Sequence, residues 1–406
     1  MSDVSIYRAD FPVLRETMNG RPLSYLDTAS SAQKPSIVLE SMRDIIEHYY
    51  ANVHRGLYHF SQVSTRSFEN VRGKVADFIG GQEREIVFTR NTTESINLVA
   101  QAYGRTFLKA EDEIILSEME HHANIVPWQI LRDQIGIVIK TIPVTDDGML
   151  EVSALNHLLT DRTRFVSLTH ISNALGTINP VKDIVTRVKS HRDDIMVLID
   201  GSQAVVHARV DVADIGCDFY VFTGHKLYGP TGVGVLWGRY DVLESMPPYQ
   251  GGGDMIDSVS FNRTTYKSAP YKFEAGTPAI IQVIGLGAAI DYLRVIGMED
   301  VSAHEMKLYQ YAMDGLSSVQ GLTFHGSAPH KAAIISFNAS WAHRSDIAMI
   351  LDKSGVAVRT GHHCCMPLMS RLGVDGTVRV SIGLYTNTQD IDECIKGIKK
   401  AKDMLS

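Results

Sequence analysis

The sequence predicts an α/β protein in which a large domain with a mostly parallel, helix-covered sheet precedes a smaller α+β C-terminal domain. The chain has 406 residues, which is too long for one small hydrophobic core. Before residue 290, short and almost continuously apolar runs alternate with helical patterns, as expected for strands buried on both faces. After residue 290, a different set of strand-like runs leads into an amphipathic tail, which indicates a second and smaller sheet.

The strands of the large sheet are predicted from apolar, β-rich runs bounded by polar or glycine-containing turns. These runs are EIVFT (85–89), EIILS (113–117), RFVSLTHIS (164–172), IMVLID (195–200), DFYVFTG (218–224) and GVGVLWG (232–238). The intervening patterns TTESINLVAQAYG and EMEHHANIVPWQILRDQ are typical of helices.

The smaller domain is predicted from three further runs and one helix. The runs are KAAIISFNAS (331–340), VAVRTG (356–361) and TVRVSIG (377–383), and the helix is DIDECIKGIKKAKDMLS (390–406). We therefore predict a large domain over 25–290 and a small domain over 291–406, with residues 1–24 packing against the small domain.

Composition excludes several classes of protein. A hydrophobic content of 44% and a charged content of 21% are those of a soluble globular protein. The net charge of -7 and the pI near 6.1 argue against binding to nucleic acid. No apolar run approaches the roughly 20 residues needed to cross a bilayer, which argues against a membrane protein. The N-terminus MSDVSIYRADFPVL has no signal-peptide pattern, so we expect a cytoplasmic protein.

The stretch RTGHHCCMP (359–367) places two histidines beside two of the four cysteines, Cys364 and Cys365. Four cysteines in a chain of this length do not indicate a disulfide scaffold, and a bridge between adjacent cysteines would be strained. A zinc site is disfavoured because neighbouring side chains diverge and no second ligand pair is evident, so no metal is predicted. The open alternatives are a reactive thiolate with basic neighbours and two buried, inert thiols.

Polar residues follow the predicted strands, where the carboxyl ends of parallel strands form ligand sites. They are Thr92, Thr93, His121, Asn173, Asp200, Gln203, His225 and Lys226. Each has an ordinary explanation when taken alone, such as a helix cap, a turn residue or a solvated lysine. Together they match the requirements of pyridoxal 5'-phosphate, which needs a lysine, a carboxylate and a phosphate site. The tight turn around Lys226 also favours a lowered pKa for its amine.

Six motifs resemble those of cysteine desulfurases of the SufS type, the second desulfurase group of the fold-type-I pyridoxal phosphate enzymes related to aminotransferase class V. The motifs are EMEHHANIVPWQ (118–129), HISNALGT (170–177), LIDGSQAV (198–205), TGHKLYGPTGVGVLWG (223–238), FEAGTP (273–278) and RTGHHCCMP (359–367). The resemblance runs in the expected order over essentially the whole chain, from DFPVL at 10–14 onward.

The resemblance implies a role for each matching residue around the cofactor. Lys226 would form the Schiff base, Asp200 would pair with the pyridinium nitrogen, and Gln203 would contact the ring oxygen. His121 would stack on the ring and take part in catalysis. The residues implied to bind the phosphate are Thr92, Thr93, Thr223 and His225, with Thr277 contributed by a second copy of the chain.

The resemblance also implies the substrate site and the nucleophile. Asn173 and Arg379 would bind the substrate carboxylate, while Arg359, His54 and Arg55 would lie at the rim. Cys364 would be the nucleophile, and we expect Arg359, His362 and His363 to favour its thiolate. Cys365 stands where family members usually have a small or polar residue.

The implied activity is the conversion of L-cysteine to L-alanine with a persulfide on Cys364. The sulfur would pass to a small acceptor protein of the SufE or SufU kind for iron–sulfur cluster assembly, with a side activity as a selenocysteine lyase. A homodimer is expected, with GGGDMI (251–256) and FEAGTP as candidate shared elements. Kynureninase-like hydrolases and epimerases share the fold but need no sulfur nucleophile. A non-enzymatic sulfur or metal carrier would have no need for Lys226 and Asp200.

Overall fold

A seven-stranded sheet forms the centre of the larger part of the chain in this computed structural model, which describes residues 4–406. The strands of the two main sheets are labelled β1–β11 in chain order. The first seven are β1 (Ile86–Thr89), β2 (Glu113–Ser117), β3 (Val138–Ile142), β4 (Thr163–Thr169), β5 (Met196–Asp200), β6 (Phe219–Thr223) and β7 (Gly234–Gly238). Their order across the sheet is β1-β7-β6-β5-β4-β2-β3, and only β7 is antiparallel to its neighbours.

The predicted α/β fold is confirmed. Every residue of β2, β6 and β7 is buried, which explains why these strands are apolar almost throughout. The sequence reading missed β3, which lies at the sheet edge and is largely half-buried. An edge strand with Lys140 and Thr141 among its five residues lacks the continuous apolar pattern that marked the others.

Helices accompany the large sheet. The longer ones are Ser36–Asp44, His59–Ile79, Thr92–Leu98, Val126–Ile135, Val181–His191 and Ile280–Ile296. Thr92–Leu98 continues as a π-helix over Val99–Gly104, and short helical segments cover Arg105–Phe107, Leu155–Leu158, Ala204–His207, Val212–Ile215 and Tyr240–Ser245. Within the described chain, no single helix combines the length and apolar character needed to cross a membrane. Only Ile280–Ile296 and Met298–Ser317 do so jointly, and that pair is bent by 77°.

A second, antiparallel sheet lies in the C-terminal part of the chain. Its strands are β8 (Leu322–His325), β9 (Ile334–Ala339), β10 (Arg359–Gly361) and β11 (Thr377–Ser381), in the order β8-β9-β11-β10. The accompanying helices are Met298–Ser317, Arg344–Lys353, Met366–Arg371 and Thr388–Leu405. The predicted strand 356–361 is two strands, because Val356–Ala357 pairs in parallel with Ser24–Tyr25 and only β10 joins this sheet.

The N-terminal segment contacts the C-terminal part of the chain. The Arg8 guanidinium donates to the Asp390 carboxylate at 2.7 Å and to the Tyr385 carbonyl at 2.8 Å. The predicted limit between residues 290 and 291 falls inside the helix Ile280–Ile296. The domain limits themselves stay a prediction.

Candidate active site

One pocket collects most of the predicted site residues. It lies at the carboxyl ends of β1, β4, β5 and β6, and the loop that follows β10 closes it from the second sheet. The predicted residues that line it are Thr92, Thr93, His121, Asn173, Asp200, Gln203, Thr223, His225, Lys226, Arg359, Cys364 and Arg379.

Three predicted residues lie outside this pocket in their own chain. His54 pairs with Glu69, with its Nε2 2.8 Å from a carboxylate oxygen, and the Arg55 Nε lies 3.2 Å from the Asp254 carboxylate. Thr277 is exposed and lines a neighbouring surface cavity that also includes His225. A single chain therefore does not bring these three side chains into the pocket.

Lys226 and Asp200 come from neighbouring parallel strands. Asp200 is the last residue of β5 and is buried, and its Oδ1 accepts a hydrogen bond from the Ser202 N–H at 3.0 Å. Lys226 lies three residues after the end of β6. Burial lowers the pKa of the Lys226 amine, and the negative charge of Asp200 opposes this effect. The strand order thus places an amine with a lowered pKa near a fixed carboxylate.

Hydroxyl groups gather at one end of the pocket. Thr92 begins the helix that follows β1, and its Oγ1 lies 2.8 Å from the Ser202 Oγ. The side chain of Thr223 is also buried and lines the same pocket. Burial lowers the pKa of His225 to about 4, so this ring is neutral at neutral pH. Such a set of neutral donors suits a phosphate group. Ser202 was missed as a site residue because its partner Thr92 is distant in sequence.

His121 and Gln203 both line the pocket. The His121 Nδ1 accepts from the Ala123 N–H at 3.1 Å, and burial lowers the pKa of this ring to about 3. The Gln203 Nε2 donates to the Ala29 carbonyl at 2.8 Å, whereas its buried Oε1 has no hydrogen-bond partner. The pocket therefore holds an unpaired acceptor that a hydroxyl-bearing ring would satisfy.

Arg379 forms a buried cationic corner of the pocket. Its guanidinium donates to the Asn173 carbonyl at 2.9 Å, to the Asp27 carboxylate at 2.9 Å and to the Ser30 hydroxyl at 2.7 Å. Its Nε is buried without a partner. Arg359, which is exposed, donates to the same Ser30 hydroxyl at 2.9 Å. Asp27 and Ser30 were not predicted, because only tertiary folding brings them to Arg379.

Cys364 is the one cysteine of the described chain that is not buried. It follows β10 in a loop where His363 and Cys364 have φ angles of 51° and 57°. These are left-handed backbone conformations, which residues other than glycine adopt only where the surrounding structure enforces them. The loop thereby brings Cys364 into the wall of the pocket that contains Lys226.

Cys365 is fully buried and points to Asn173. Its Sγ donates to the Asn173 Oδ1 at 3.1 Å, and burial, followed by the negative charge of Glu120, raises the pKa of this thiol to about 12. A thiol with that pKa stays protonated at neutral pH and is a poor nucleophile. The two adjacent cysteines therefore differ in their reactivity as nucleophiles.

The expectation that His363 supplies positive charge to Cys364 is wrong. His363 is buried, its Nε2 lies 2.9 Å from the Thr377 Oγ1, and burial lowers its pKa to about 3. The His362 Nδ1 accepts a hydrogen bond from the Cys364 main-chain N–H at 3.0 Å. Among the expected basic neighbours, Arg359 is a permanent cation and lines the pocket.

These residues fit pyridoxal 5'-phosphate. Lys226 would hold the cofactor covalently, Asp200 would face its ring nitrogen, and the hydroxyl cluster around Thr92 would hold its phosphate. The unpaired Gln203 Oε1 is the buried polar atom that such a ring would complete. Over residues 4–406, no group of three or more His, Cys, Asp or Glu side chains is arranged to hold a metal ion.

Comparison with known proteins gives consistent matches. The aminotransferase class V family model matches residues 24–394. A cysteine desulfurase from Dickeya dadantii (strain 3937) is 48% identical over 400 residues, covering 98% of this chain and 96% of that protein.

Two solved structures superpose with a TM-score of 0.93. The Escherichia coli cysteine desulfurase CsdA, in an S-sulfonic acid form, is 37% identical, and the comparison covers all of both chains. The apo cysteine desulfurase from Thermococcus onnurineus NA1 is 35% identical and covers all of this chain and 98% of that one. The chain therefore belongs to the aminotransferase class V family and is a pyridoxal 5'-phosphate-dependent enzyme of the cysteine desulfurase group.

Proposed function

We propose that this enzyme is a SufS-type desulfurase that converts L-cysteine to L-alanine and carries the removed sulfur as a persulfide on Cys364. One observation carries the proposal. The single cysteine that is not buried in the described chain lines the same pocket as Lys226 and Asp200. Hydrolases and epimerases have no use for a thiol at that position, whereas a desulfurase requires one.

Arg379 and Asn173 are suited to bind the substrate carboxylate. Arg379 is buried, permanently charged, and has an unpaired Nε. The Asn173 amide donates to the His363 carbonyl at 2.8 Å and accepts from Cys365, so its orientation is fixed by the nucleophile loop. Binding the carboxylate here would leave the substrate side chain free to face Cys364.

Lys226 and His121 are suited to move protons. Because burial lowers the pKa of Lys226, its amine is more readily deprotonated and able to act as a base on the substrate α-carbon. His121 has a neutral ring with one nitrogen held by the Ala123 N–H, so its orientation is set. When bound, pyridoxal phosphate supplies the electron sink that acidifies the α-carbon.

Cys364 is the nucleophile of the sulfur-transfer step. Its thiolate attacks the substrate Sγ, so a sulfur–sulfur bond forms while the substrate carbon–sulfur bond breaks. The electron pair of the broken bond stays with the carbon skeleton, which takes up a proton to become alanine. In balance, L-cysteine and the Cys364 thiol give L-alanine and the Cys364 persulfide.

The test compares Cys364→Ala with the neighbouring Cys365→Ala as a matched control. With cofactor-loaded protein and a reductant, we expect the wild type and Cys365→Ala to release sulfide and alanine. Cys364→Ala should still change the cofactor absorbance when L-cysteine is added, but should release no sulfide. Full sulfide release by Cys364→Ala would refute the assignment of the nucleophile.

The sulfur would pass to a small acceptor protein of the SufE or SufU kind for iron–sulfur cluster assembly. The Cys364 loop is hydrogen-bonded on both sides, so we expect the acceptor thiol to enter the pocket. The persulfide then transfers its outer sulfur to that thiol and the Cys364 thiol is restored. Four free cysteines support a reducing, cytoplasmic setting. Added acceptor protein should increase turnover, and ³⁵S from labelled cysteine should appear on it.

A side activity on L-selenocysteine is part of this proposal, because the same carboxylate and amine contacts serve both amino acids. The carbon–selenium bond is weaker than the carbon–sulfur bond. The informative assay is therefore the removal of selenium from L-selenocysteine by the Cys364→Ala variant. Alanine formed without the Cys364 thiol leaves selenium as Se(0), which added dithiothreitol reduces to selenide. If Cys364→Ala with dithiothreitol releases selenide from L-selenocysteine but no sulfide from L-cysteine, selenium removal does not require the Cys364 thiol. If wild-type protein releases no selenide, the side activity is excluded.

A homodimer is supported by residues that the single chain leaves outside its pocket. Leu57 and Tyr58, close in sequence to His54 and Arg55, are 93% and 59% exposed, and Thr277 is also on the surface. Large apolar side chains exposed side by side favour burial against another chain. Sedimentation should give a mass of two chains. Charge substitution at Leu57 should yield monomers that bind cofactor phosphate less tightly.

A further inference from the structure

Two histidines without a role in the proposed chemistry flank the nucleophile loop. His122 follows His121 after β2, in the part of the chain built on the large sheet. His362 lies two residues before Cys364 and belongs to the loop after β10. Their ring centroids are 5.5 Å apart and the ring planes differ by 32°. The two rings therefore meet across the boundary between the two sheets.

Both rings accept hydrogen bonds from the backbone around Cys364. The His362 Nδ1 accepts from the Cys364 N–H at 3.0 Å. The His122 ring Nε2 accepts from the Met366 main-chain N–H at 3.0 Å. The His122 main-chain N–H donates to the Cys364 carbonyl at 2.7 Å. Both polar groups of the Cys364 main chain and one group two residues later are thus held by these two histidines.

The contact with Met366 has a second consequence. Met366 begins the helix Met366–Arg371, so its N–H is one of the donors that a helix start leaves unpaired. Cys365, in the preceding position, provides no side-chain cap. His122 therefore caps this helix from the other part of the chain, and in doing so fixes the end of the nucleophile loop.

The loop needs such support because its backbone is strained. His363 and Cys364 both have positive φ angles, and a relaxed loop would leave this region. We propose that His122 and His362 are positioning residues, which hold the Cys364 main chain so that its thiol faces the substrate. This proposal deepens the proposed desulfurase function and rests on it only for the effect on turnover.

The test uses pairs of variants that differ in the hydrogen-bond acceptor. Gln places an acceptor near the position of the histidine Nε2 and Met does not, so His122→Gln is compared with His122→Met. Asn places an acceptor near Nδ1 and Leu does not, so His362→Asn is compared with His362→Leu. The first measurement is amide hydrogen exchange of the peptide covering 359–371, made with and without cofactor.

We expect the Met and Leu variants to exchange about tenfold faster in that peptide, the factor by which one lost helix cap shifts an opening equilibrium. The rest of the chain should exchange as in the wild type. In the desulfurase assay, kcat should fall while KM for L-cysteine changes little, because the nucleophile moves and the carboxylate site does not. The Gln and Asn variants should recover most of the exchange protection and of kcat.

Two results would overturn the proposal. One is a His122→Met variant with wild-type exchange in 359–371 and wild-type kcat. The other is an equal loss in His122→Met and His122→Gln, which would assign the effect to ring shape rather than to the acceptor. The exchange measurement needs no turnover. A wild type that makes no sulfide would therefore refute the proposed function, while the exchange contrast still decides the role of His122.

Discussion

Different burial gives Cys364 and its neighbour Cys365 different reactivity. Cys365 has a pKa raised to about 12 and donates its proton to Asn173, whereas Cys364 is half-buried in the pocket wall. Cys394 has a pKa raised to about 12 by burial, and burial raises the pKa of Cys217 as well. A pattern of two adjacent cysteines in a sequence carries no information about this difference, because it arises from tertiary packing.

Alkylation should therefore modify one thiol per native chain. We expect iodoacetamide at pH 8 to label Cys364 and to leave the other three cysteines unmodified until the protein is unfolded, since they remain buried thiols. Peptide mass spectrometry gives the site and the stoichiometry. Cys364→Ser serves as the control and should take up no label in the native state. Native labelling of Cys365 would contradict the burial argument.

Arg379 and Arg359 form a matched pair for testing carboxylate binding. Arg379 makes three hydrogen bonds and is buried, whereas Arg359 is exposed and bonds Ser30 alone. Lysine cannot reproduce the planar guanidinium fork, so Arg379→Lys should raise KM for L-cysteine by about 10- to 100-fold, the value of one or two charged hydrogen bonds. Arg359→Lys should raise it far less. Steady-state kinetics of both variants measures KM, and their melting temperatures show whether both are folded. Equal KM values in the two variants would refute the role of Arg379 in binding the carboxylate.

At the scale of elements, the close packing of β7 against the start of the helix Thr92–Leu98 sets the hydroxyl end of the pocket. A Cβ atom added at Gly234, the first residue of β7, would lie 2.5 Å from the Asn91 main chain. Asn91 caps that helix by accepting from the Glu94 N–H. The strand and the helix can approach this closely only because residue 234 has no side chain.

Gly234→Ala should therefore displace the start of the helix. We expect a loss of about 1–3 kcal/mol in the free energy of unfolding, as for overpacked cores, and weaker binding of pyridoxal phosphate through Thr92. Gly73→Ala is the control, since a Cβ there meets only the flexible side chain of Glu83. Urea denaturation and cofactor titration of both variants provide the measurements. Unchanged cofactor affinity in Gly234→Ala would show that the helix start tolerates displacement.

Sequence patterns predicted elements well where both faces are buried and less well elsewhere. The central strands were found because their burial leaves no room for polar residues, and the order of their carboxyl ends brought Asp200 and Lys226 together as expected. The edge strand β3 and the division of 356–361 were missed, because edges tolerate polar residues and pairing partners are distant in sequence. His122, Ser30 and Asp27 were missed as site neighbours for the same reason.

At the scale of the whole molecule, histidines that partial or full burial keeps neutral make stability depend on pH. Burial lowers the pKa of His170 and His225 to about 4, and of His121 and His363 to about 3, from 6.5. The unfolded chain binds protons at these sites below pH 6.5, whereas the folded chain does not until lower pH. Stability is therefore highest above pH 6.5 and is lost as the pH falls from 6.5 towards 4.

Each of these histidines should reduce the free energy of unfolding by up to about 1.4 kcal/mol per pH unit in that window. His170 provides the cleanest test, because it contacts the Tyr220 hydroxyl at 3.0 Å and does not line the pocket. His170→Asn should reduce the pH dependence of the free energy of unfolding between pH 6.5 and 4.5 by the contribution of about one bound proton. Urea denaturation at pH 7.5, 6.0 and 5.0 measures the slopes. An unchanged slope would show that the folded state does not keep His170 neutral in this pH range.

The single reversed strand has a practical consequence for the life of the enzyme. Lys226 lies in the connection between β6 and β7, which are hydrogen-bonded to each other along their whole length. The lysine is thus attached at both ends to the most buried part of the sheet, and the loss of the cofactor removes none of those attachments. We expect protein stripped of its cofactor to stay folded during storage. It should regain its yellow colour when pyridoxal phosphate is added, without any refolding step.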